Sequence, residues 1–374
     1  MKHKILHISK YYSPFTGGTE AVCQDIAECL TKYENRIICF NHKRGFRIDY
    51  INNIEVIRIN CFAKVSSQSL SFSYYTKLKD LIRSWKPDVI HFHHPNLFVA
   101  FFLNYIIPKD TKLIVHWHLD IVKQKFIYKF LKGVENKMLD RADALIATSN
   151  NYMAYSKPLA HYKQKVKVVY NGINTGRFDK LPCDEERIDS IKEKYQHKKI
   201  IFFIGRHVTY KGLKYLLQAE KYVKEDCIVV IGGKGPLTQE LKKLTHSQRV
   251  VFVGRLSENE LRCYLHAADI LAFPSITKNE AFGLALAEGM YCQCVPVTFT
   301  IPGSGVNEVS INRVTGIEVK NKDVRQYARA IDTLLADDEL RISYSIAAKK
   351  RVTELFTVEQ EQKSFRELYK SLLG

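Results

Sequence analysis

Two carboxylates, Glu280 and Glu288, stand eight positions apart, with Phe282-Gly283-Leu284 between them and the apolar run 270–273 just upstream. A strand that runs through Pro274 into a loop, and then into a helix starting near Phe282, is a ligand site in an α/β fold. The free N–H groups and partial positive charge of a helix N-terminus hold phosphate. Glu280 in the loop and Glu288 a turn or so into the helix then reach opposite ends of one ligand. Carboxylates accept hydrogen bonds from pairs of vicinal hydroxyls, and a phosphate between two hydroxyl-rich groups describes a nucleotide sugar. Spacing alone fits two solvated glutamates on an amphipathic helix equally well, so other residues have to decide.

Further constellations fall at strand ends. Pro14-Phe-Thr-Gly17-Gly18-Thr-Glu20 follows the first strand and opens the first helix, where glycines let a ligand approach the backbone. It matches neither the dinucleotide fingerprint nor the Gly-x-x-x-x-Gly-Lys phosphate loop, and a plain tight turn is the simpler account. Val115-His116-Trp117-His118-Leu119-Asp120 stands at the carboxyl end of a predicted central strand. Strand alternation puts His116 and His118 on one face, which leaves the choice between them open, and a satisfied core histidine is the ordinary alternative. Asp120 is placed to orient an imidazole or to bind a hydroxyl. His91, His93 and His94 also cluster at a strand end, but no carboxylate or cysteine completes a metal set, so cleft lining or packing is the expectation. Gly205-Arg206 and Lys211 follow the first strand of the second half. Arg206 offers a planar fork for phosphate oxygens and Lys211 a point charge, and two cations at a departing diphosphate stabilise its developing charge. Gly232 reads as another close-approach turn, and Leu256 follows the end of the next strand.

Together these segments resemble the Glu-x7-Glu retaining glycosyltransferases of the GT-B fold, family 4 (glycosyl transferases group 1), of the bacterial surface-polysaccharide type. The resemblance runs almost end to end and is most specific over 200–310. It implies two Rossmann-like domains facing across a cleft. Residues 1–172 bind the acceptor, 173–355 bind the nucleotide sugar, and a C-terminal helix over 356–374 packs back toward the first domain. It also implies roles. His118 contacts the transferred sugar, Glu280 binds its hydroxyls, and Arg206 with Lys211 assists departure of the diphosphate; these four form the catalytic set. Gly17, Gly18, Gly205, Gly232, Phe282, Gly283 and Leu284 surround the donor, with Glu288 at the ribose and Leu256 at the base, while His116 and Asp120 belong to the acceptor cleft. The implied donor is a UDP- or GDP-linked hexose and the implied acceptor a saccharide, lipid-linked in this family. No metal or other cofactor is expected, in keeping with a chain that contains no Asp-x-Asp. Two departures stand out. Gly289 follows Glu288 where the family often has Glu-Ala-Met, and Gln293 precedes Cys294-Val295-Pro296 where a glycine is usual, so that turn is expected to differ in shape.

The elements that position these residues are legible as alternation. Strands are expected at 4–9, 36–40, 55–59, 89–93, 113–116, 144–147 and 167–169, with helices between them at 20–32, 73–85, 97–105 and 127–140. After turn residues around Asn171-Gly172, a second series of strands is expected at 199–204, 228–231, 250–253, 270–273, 295–297 and 315–319. Three helices follow, at 324–335, 338–351 and 358–373. Such alternation implies parallel sheets covered on both faces, which bind ligands at the carboxyl ends of their strands. The length, 374 residues, suits two domains.

Composition limits the remaining classes. With 46% hydrophobic and 26% charged residues the chain is globular, and no run approaches the ~20 apolar residues of a membrane span. Nine cysteines without metal-ligand spacing suit reduced thiols and a cytoplasmic setting. The formal charge of +18 calls for a polyanionic partner. Lysines and arginines are spread along the chain with no nucleic-acid motif, so nucleic acid ranks below pyrophosphate ligands and an anionic membrane face. A predicted helix carrying Val122, Phe126, Phe130 and Val134 on one face, flanked by Lys125, Lys129 and Lys132, is a candidate for peripheral contact with the inner face of the cytoplasmic membrane. The rival readings are a sugar-nucleotide epimerase of the same fold and a non-catalytic polyanion- or membrane-binding protein.

Overall fold

The computed structural model describes every residue except Met1, Thr16, Arg44, Ser66, Ser67 and 121–124, and describes no side chains at 64, 65, 68 and 125–131. The amphipathic face expected around Val122, Phe126 and Phe130 therefore lies outside the described residues. The chain divides into two compact units, one of Met1–Val169 with Glu361–Gly374 and one of Tyr170–Gln360.

In the first unit the strands are β1 (Lys4–Ile8), β2 (Glu34–Phe40), β3 (Arg47–Ile51), β4 (Ile54–Ile59), β5 (Ala63–Val65), β6 (Gln68–Leu70), β7 (Val89–His94), β8 (Lys112–Trp117), β9 (Ala144–Ala147) and β10 (Val166–Val168). Eight of them form a sheet in the order β10-β9-β8-β7-β1-β2-β4-β3, while β5 and β6 pair separately. All neighbours in the large sheet are parallel except the β3–β4 hairpin. Its turn is Asn52-Asn53, both residues at positive φ (49° and 64°), as a two-residue hairpin requires. No strand was expected at β3, a short edge strand whose apolar members Ile48 and Tyr50 are exposed. The parallel strands are buried along most of their length: every residue of β7 is buried, its histidines included. The Glu361–Gly374 segment contributes Phe365, Leu368 and Tyr369 to a core shared with Ile5, Val22, Ile26, Val89 and Ile114.

The second unit holds β11 (Lys199–Ile204), β12 (Cys227–Gly232), β13 (Val250–Gly254), β14 (Ile270–Phe273), β15 (Val295–Phe299) and β16 (Ile317–Val319). They form one parallel sheet in the order β13-β12-β11-β14-β15-β16. In each sheet the connections run outward in opposite directions from one central pair, β1/β7 in the first and β11/β14 in the second. At such a switch point the loops leave a crevice outside the carboxyl ends of the strands. Gly17 and Gly18 follow β1, His118 follows β8, Arg206 and Lys211 follow β11, and Glu280 follows β14.

Candidate active site

In the second unit the loops after β11 and β14 are joined by the Ile276 amide donating to the Tyr210 carbonyl at 2.9 Å. This brings Lys211 against Glu280, with Nζ to Oε2 at 2.5 Å. Ser275 Oγ donates to the same carboxylate oxygen at 3.0 Å, and Ser304 Oγ donates to the Glu280 carbonyl. Both members of the ion pair are buried. Lys211 Nζ also sits 5.0 Å from the centre of the Phe273 ring. The two cations expected at a diphosphate thus differ in state: Lys211 is held by Glu280, whereas Arg206 is exposed and makes no ion pair among the described residues.

The helix Leu284–Tyr291 begins two residues later than expected. Gly283 precedes it at φ +100° and ψ 59°, with no side chain capping the first turn. That conformation favours glycine, and the first N–H groups of the helix are left to a ligand. The Phe282 ring is buried, edge-on to Phe356 at 5.4 Å, which leaves its backbone amide as the group that the resemblance assigns to the donor. Glu288 lies one turn into the helix, partly buried. Burial pushes its carboxyl pKa up, against the pull of Arg177 and Lys211.

Glycine usage in the neighbouring loops has an intramolecular cause. Gly233, at φ +102°, lies so close to the other loop that a Cβ there would meet the Gly205 carbonyl oxygen at 2.0 Å. The Gly205 amide donates to the Gly232 carbonyl at 3.3 Å, and buried His207 holds the same turn through Thr238 Oγ1 at 2.9 Å and the Gly232 carbonyl at 3.3 Å. Gly233 is therefore needed for loop-to-loop packing before any ligand is considered, while a Cβ at residue 232 would meet Ile204 Cδ1 at 2.8 Å, with Leu256 bordering the same position. Both departures from the family pattern find an explanation. A Cβ at residue 289 would lie 2.6 Å from Leu271 Cδ2, so glycine suits the wider Leu271. Gln293 adopts φ +67°, which gives the turn the left-handed backbone a glycine would supply and corrects the expectation of a different shape.

In the first unit the His93 and His118 rings are stacked at 5.3 Å, with Nδ1 of His93 and Nε2 of His118 3.0 Å apart in a hydrogen bond. His116 is 0% exposed and His118 6%. His116 lies within β8, paired in register with His93, and cannot line a cleft; His118, one residue past the strand, keeps access to solvent. This corrects the placing of His116 among acceptor-facing residues. Burial lowers the His118 pKa to about 3, so the imidazole is neutral at neutral pH. Asp120 is held within its own loop. Its Oδ1 accepts from Trp117 Nε1 at 2.8 Å and Ser156 Oγ at 2.7 Å, and its amide donates to Tyr152 Oη at 2.5 Å. It clasps the loop, and His93 rather than Asp120 orients His118. His94 turns away from the other two histidines of β7, stacks on Trp117 at 3.9 Å and faces Glu135.

Gly17 is the residue before the helix Gly18–Cys29, and the Glu20 carboxylate folds back against it. Arg58, which the sequence reading missed, is buried on β4 and donates to the carbonyls of Tyr12 and Ser13 while pairing with Asp49 at 2.6 Å. It fixes the approach to the glycine turn, as Ser275 and Ser304 fix Glu280. No spacing marks these residues in the sequence, because each acts on a segment distant along the chain.

The family models match in tandem, Glycosyltransferase Family 4 over residues 16–177 and Glycosyl transferases group 1 over residues 184–351. The chain belongs to this glycosyltransferase family. The O-antigen chain mannosyltransferase C of Escherichia coli is 26% identical to it over 99% of both chains. The D-rhamnosyltransferase WbpZ of Pseudomonas aeruginosa is 27% identical over 95% of this chain and 92% of its own. Among solved structures, sucrose-phosphate synthase of Thermosynechococcus elongatus superposes with a TM-score of 0.82 at 18% identity, covering 99% of each chain. The fold of this glycosyltransferase is thus GT-B, and the residues expected at the site follow strand ends, where open parallel sheets bind ligands. Among the described residues no helix is long and apolar enough to cross a membrane.

Proposed function

We propose that this glycosyltransferase moves a hexosyl group from a UDP- or GDP-linked donor to a lipid-linked saccharide acceptor in cell-surface polysaccharide synthesis, with retention of configuration and no divalent cation at the diphosphate. The observation that carries the reading is the buried Lys211–Glu280 pair, set beside the unpaired Arg206 and the uncapped helix start at Gly283. Glu280 accepts from hydroxyls of the donor sugar, and as they bind, Lys211 is released toward the phosphates. Arg206, Lys211 and the helix amides then carry the charge a metal would otherwise neutralise. The bond from the anomeric carbon to the phosphate oxygen breaks, with its electron pair leaving on the diphosphate. The acceptor hydroxyl attacks from the same face and its proton passes to the departing phosphate oxygen. Neutral His118 hydrogen-bonds the sugar without adding a positive charge to the reacting carbon. Glu288 accepts from the ribose hydroxyls and Leu256 packs against the base.

The names of both relatives, a mannosyl and a rhamnosyl transferase, support a six-carbon sugar. The charge of +18 supports peripheral attraction to an anionic membrane face, where a lipid-linked acceptor resides. A thermal-shift screen against UDP, GDP, ADP and CMP and their sugar conjugates tests the donor class, because a ligand of the folded state raises the melting temperature. The expected result is one uridine or guanosine series that shifts it by several degrees. Proton NMR of the product formed from that donor then reads the anomeric configuration, and inversion, or donor breakdown without transfer, overturns the proposal.

A further inference from the structure

The first unit buries a cluster of imidazoles behind His118, none of which is itself assigned a contact with the donor. His91, His93 and His116 are at most 2% exposed, and one ring nitrogen from each lies within 4.8 Å of the others. Among the described residues His91 Nε2, His93 Nε2 and both nitrogens of His116 have no hydrogen-bond partner, and the same holds for His7 Nδ1, from β1. The His7 ring is 5.2 Å from that of His91. A buried polar atom without a partner costs about 1–3 kcal/mol, and several converging on one point mark a place for an ion or water.

We infer that His91, His93 and His116 form a binding site for a borderline transition-metal cation of the Zn²⁺ or Co²⁺ class, apart from the nucleotide-sugar site. Two features favour a cation over trapped water. The second nitrogens of His91 and His93 are already engaged, His91 Nδ1 with Tyr369 Oη at 2.7 Å and His93 Nδ1 with His118 Nε2 at 3.0 Å. This is the outer shell that metal-binding histidines carry. Cys23, which forms an overlapping triad with His7 and His93, puts a thiol beside the site whose ionisation on a metal offsets part of the charge. Tetrahedral coordination at about 2.0–2.1 Å places ligand nitrogens roughly 3.4 Å apart, so from separations within 4.8 Å the nitrogens close in by no more than about 1.4 Å on loading. Imidazole ligands select against Mg²⁺ and Ca²⁺. A cation on His93 Nε2 leaves the proton on Nδ1, so His93 donates to His118 and the tautomer of that pair is set.

The test uses the full chain without a polyhistidine tag, stripped with chelator and then dialysed against micromolar Zn²⁺ or Co²⁺. Elemental analysis is expected to find about one metal per chain, and Co²⁺ to show the absorption bands of a four-coordinate site. Tyr369→Phe keeps the ring and its packing but removes the hydroxyl behind His91; it is expected to fold normally and bind Zn²⁺ at least about tenfold more weakly. His93→Gln is expected to abolish the Co²⁺ bands. Failure of the wild-type chain to retain metal overturns the inference, as does equal retention by both variants, which would place the ion on exposed histidines or Cys183.

Discussion

Lys211 Nζ lies 2.5 Å from Glu280 Oε2, across the two loops that leave the central strand pair of the second sheet. Each seven residues past its strand, these side chains meet because β11 and β14 are neighbours in space though distant in sequence. The pair closes the crevice with opposite charges that a sugar diphosphate can separate, hydroxyls taking the carboxylate and phosphate taking the ammonium.

Removing Glu280 should affect both chemistry and stability. Glu280→Ala is expected to lower transfer by at least ~10²-fold, as loss of one strong polar contact does, while nucleoside-diphosphate affinity changes little. It also leaves Lys211 buried without its partner, at a cost of about 3–5 kcal/mol. Calorimetry should therefore show a lower melting temperature that Lys211→Met in the same chain partly restores. Near-normal turnover in Glu280→Ala would remove this residue from the site.

His118 and His116 should separate by readout. His118→Ala is expected to reduce kcat and to cost less stability than loss of His116, because His118 is 6% exposed against 0% for His116. His116→Ala opens a cavity in the sheet and is expected to reduce stability by about 2–4 kcal/mol, with kcat of the folded fraction retained. The reverse pattern would exchange their roles.

Acid should destabilise the metal-free first unit. Folding lowers the pKa of His7 to about 4 and of His94 and His118 to about 3, against about 6.5 for a free imidazole. Between those values the unfolded chain binds protons that the folded chain excludes. Stability is therefore full above pH 6.5 and falls by ~1.4 kcal/mol per pH unit for each such histidine as the pH drops. A melting temperature flat from pH 7 to 8 and falling steeply from 6.5 to 5 is expected; a constant value down to pH 5 contradicts the buried neutral cluster.

Magnesium and manganese should be dispensable. With Arg206, Lys211 and helix amides serving the diphosphate, adding millimolar Mg²⁺ or Mn²⁺ to chelator-treated enzyme is expected to change the rate by less than about twofold. Strict dependence on either ion would assign the charge to a metal instead.

Much of this was legible in the sequence because parallel strands leave continuous apolar runs and the site residues follow directly at strand ends. Gly283 and Glu280 were found that way. Their supports were not: Ser275, Ser304 and Arg58 act across chain breaks of 5 to 45 residues, where no period relates them to their targets. The histidine stack was half seen. His91 and His93 were noted together, but register pairing with β8, which adds His116, and parallel pairing with β1, which adds His7, are properties of the sheet. The edge strand β3 escaped although Ile48 and Tyr50 alternate with Arg47 and Asp49 and Asn52-Asn53 marks its turn, because a five-residue run is too short to stand out by period.

Arg206 provides the most direct test of the account, since it is exposed, makes no ion pair among the described residues and can be removed without leaving a buried charge. Titration calorimetry would compare the preferred nucleoside diphosphate with its nucleoside on wild type and Arg206→Ala. The account predicts a loss of about 10–100-fold for the diphosphate, the scale of a hydrogen bond to a charged group, and less than twofold for the nucleoside. Equal losses for both ligands, or none for either, would contradict a diphosphate site at the ends of β11 and β14.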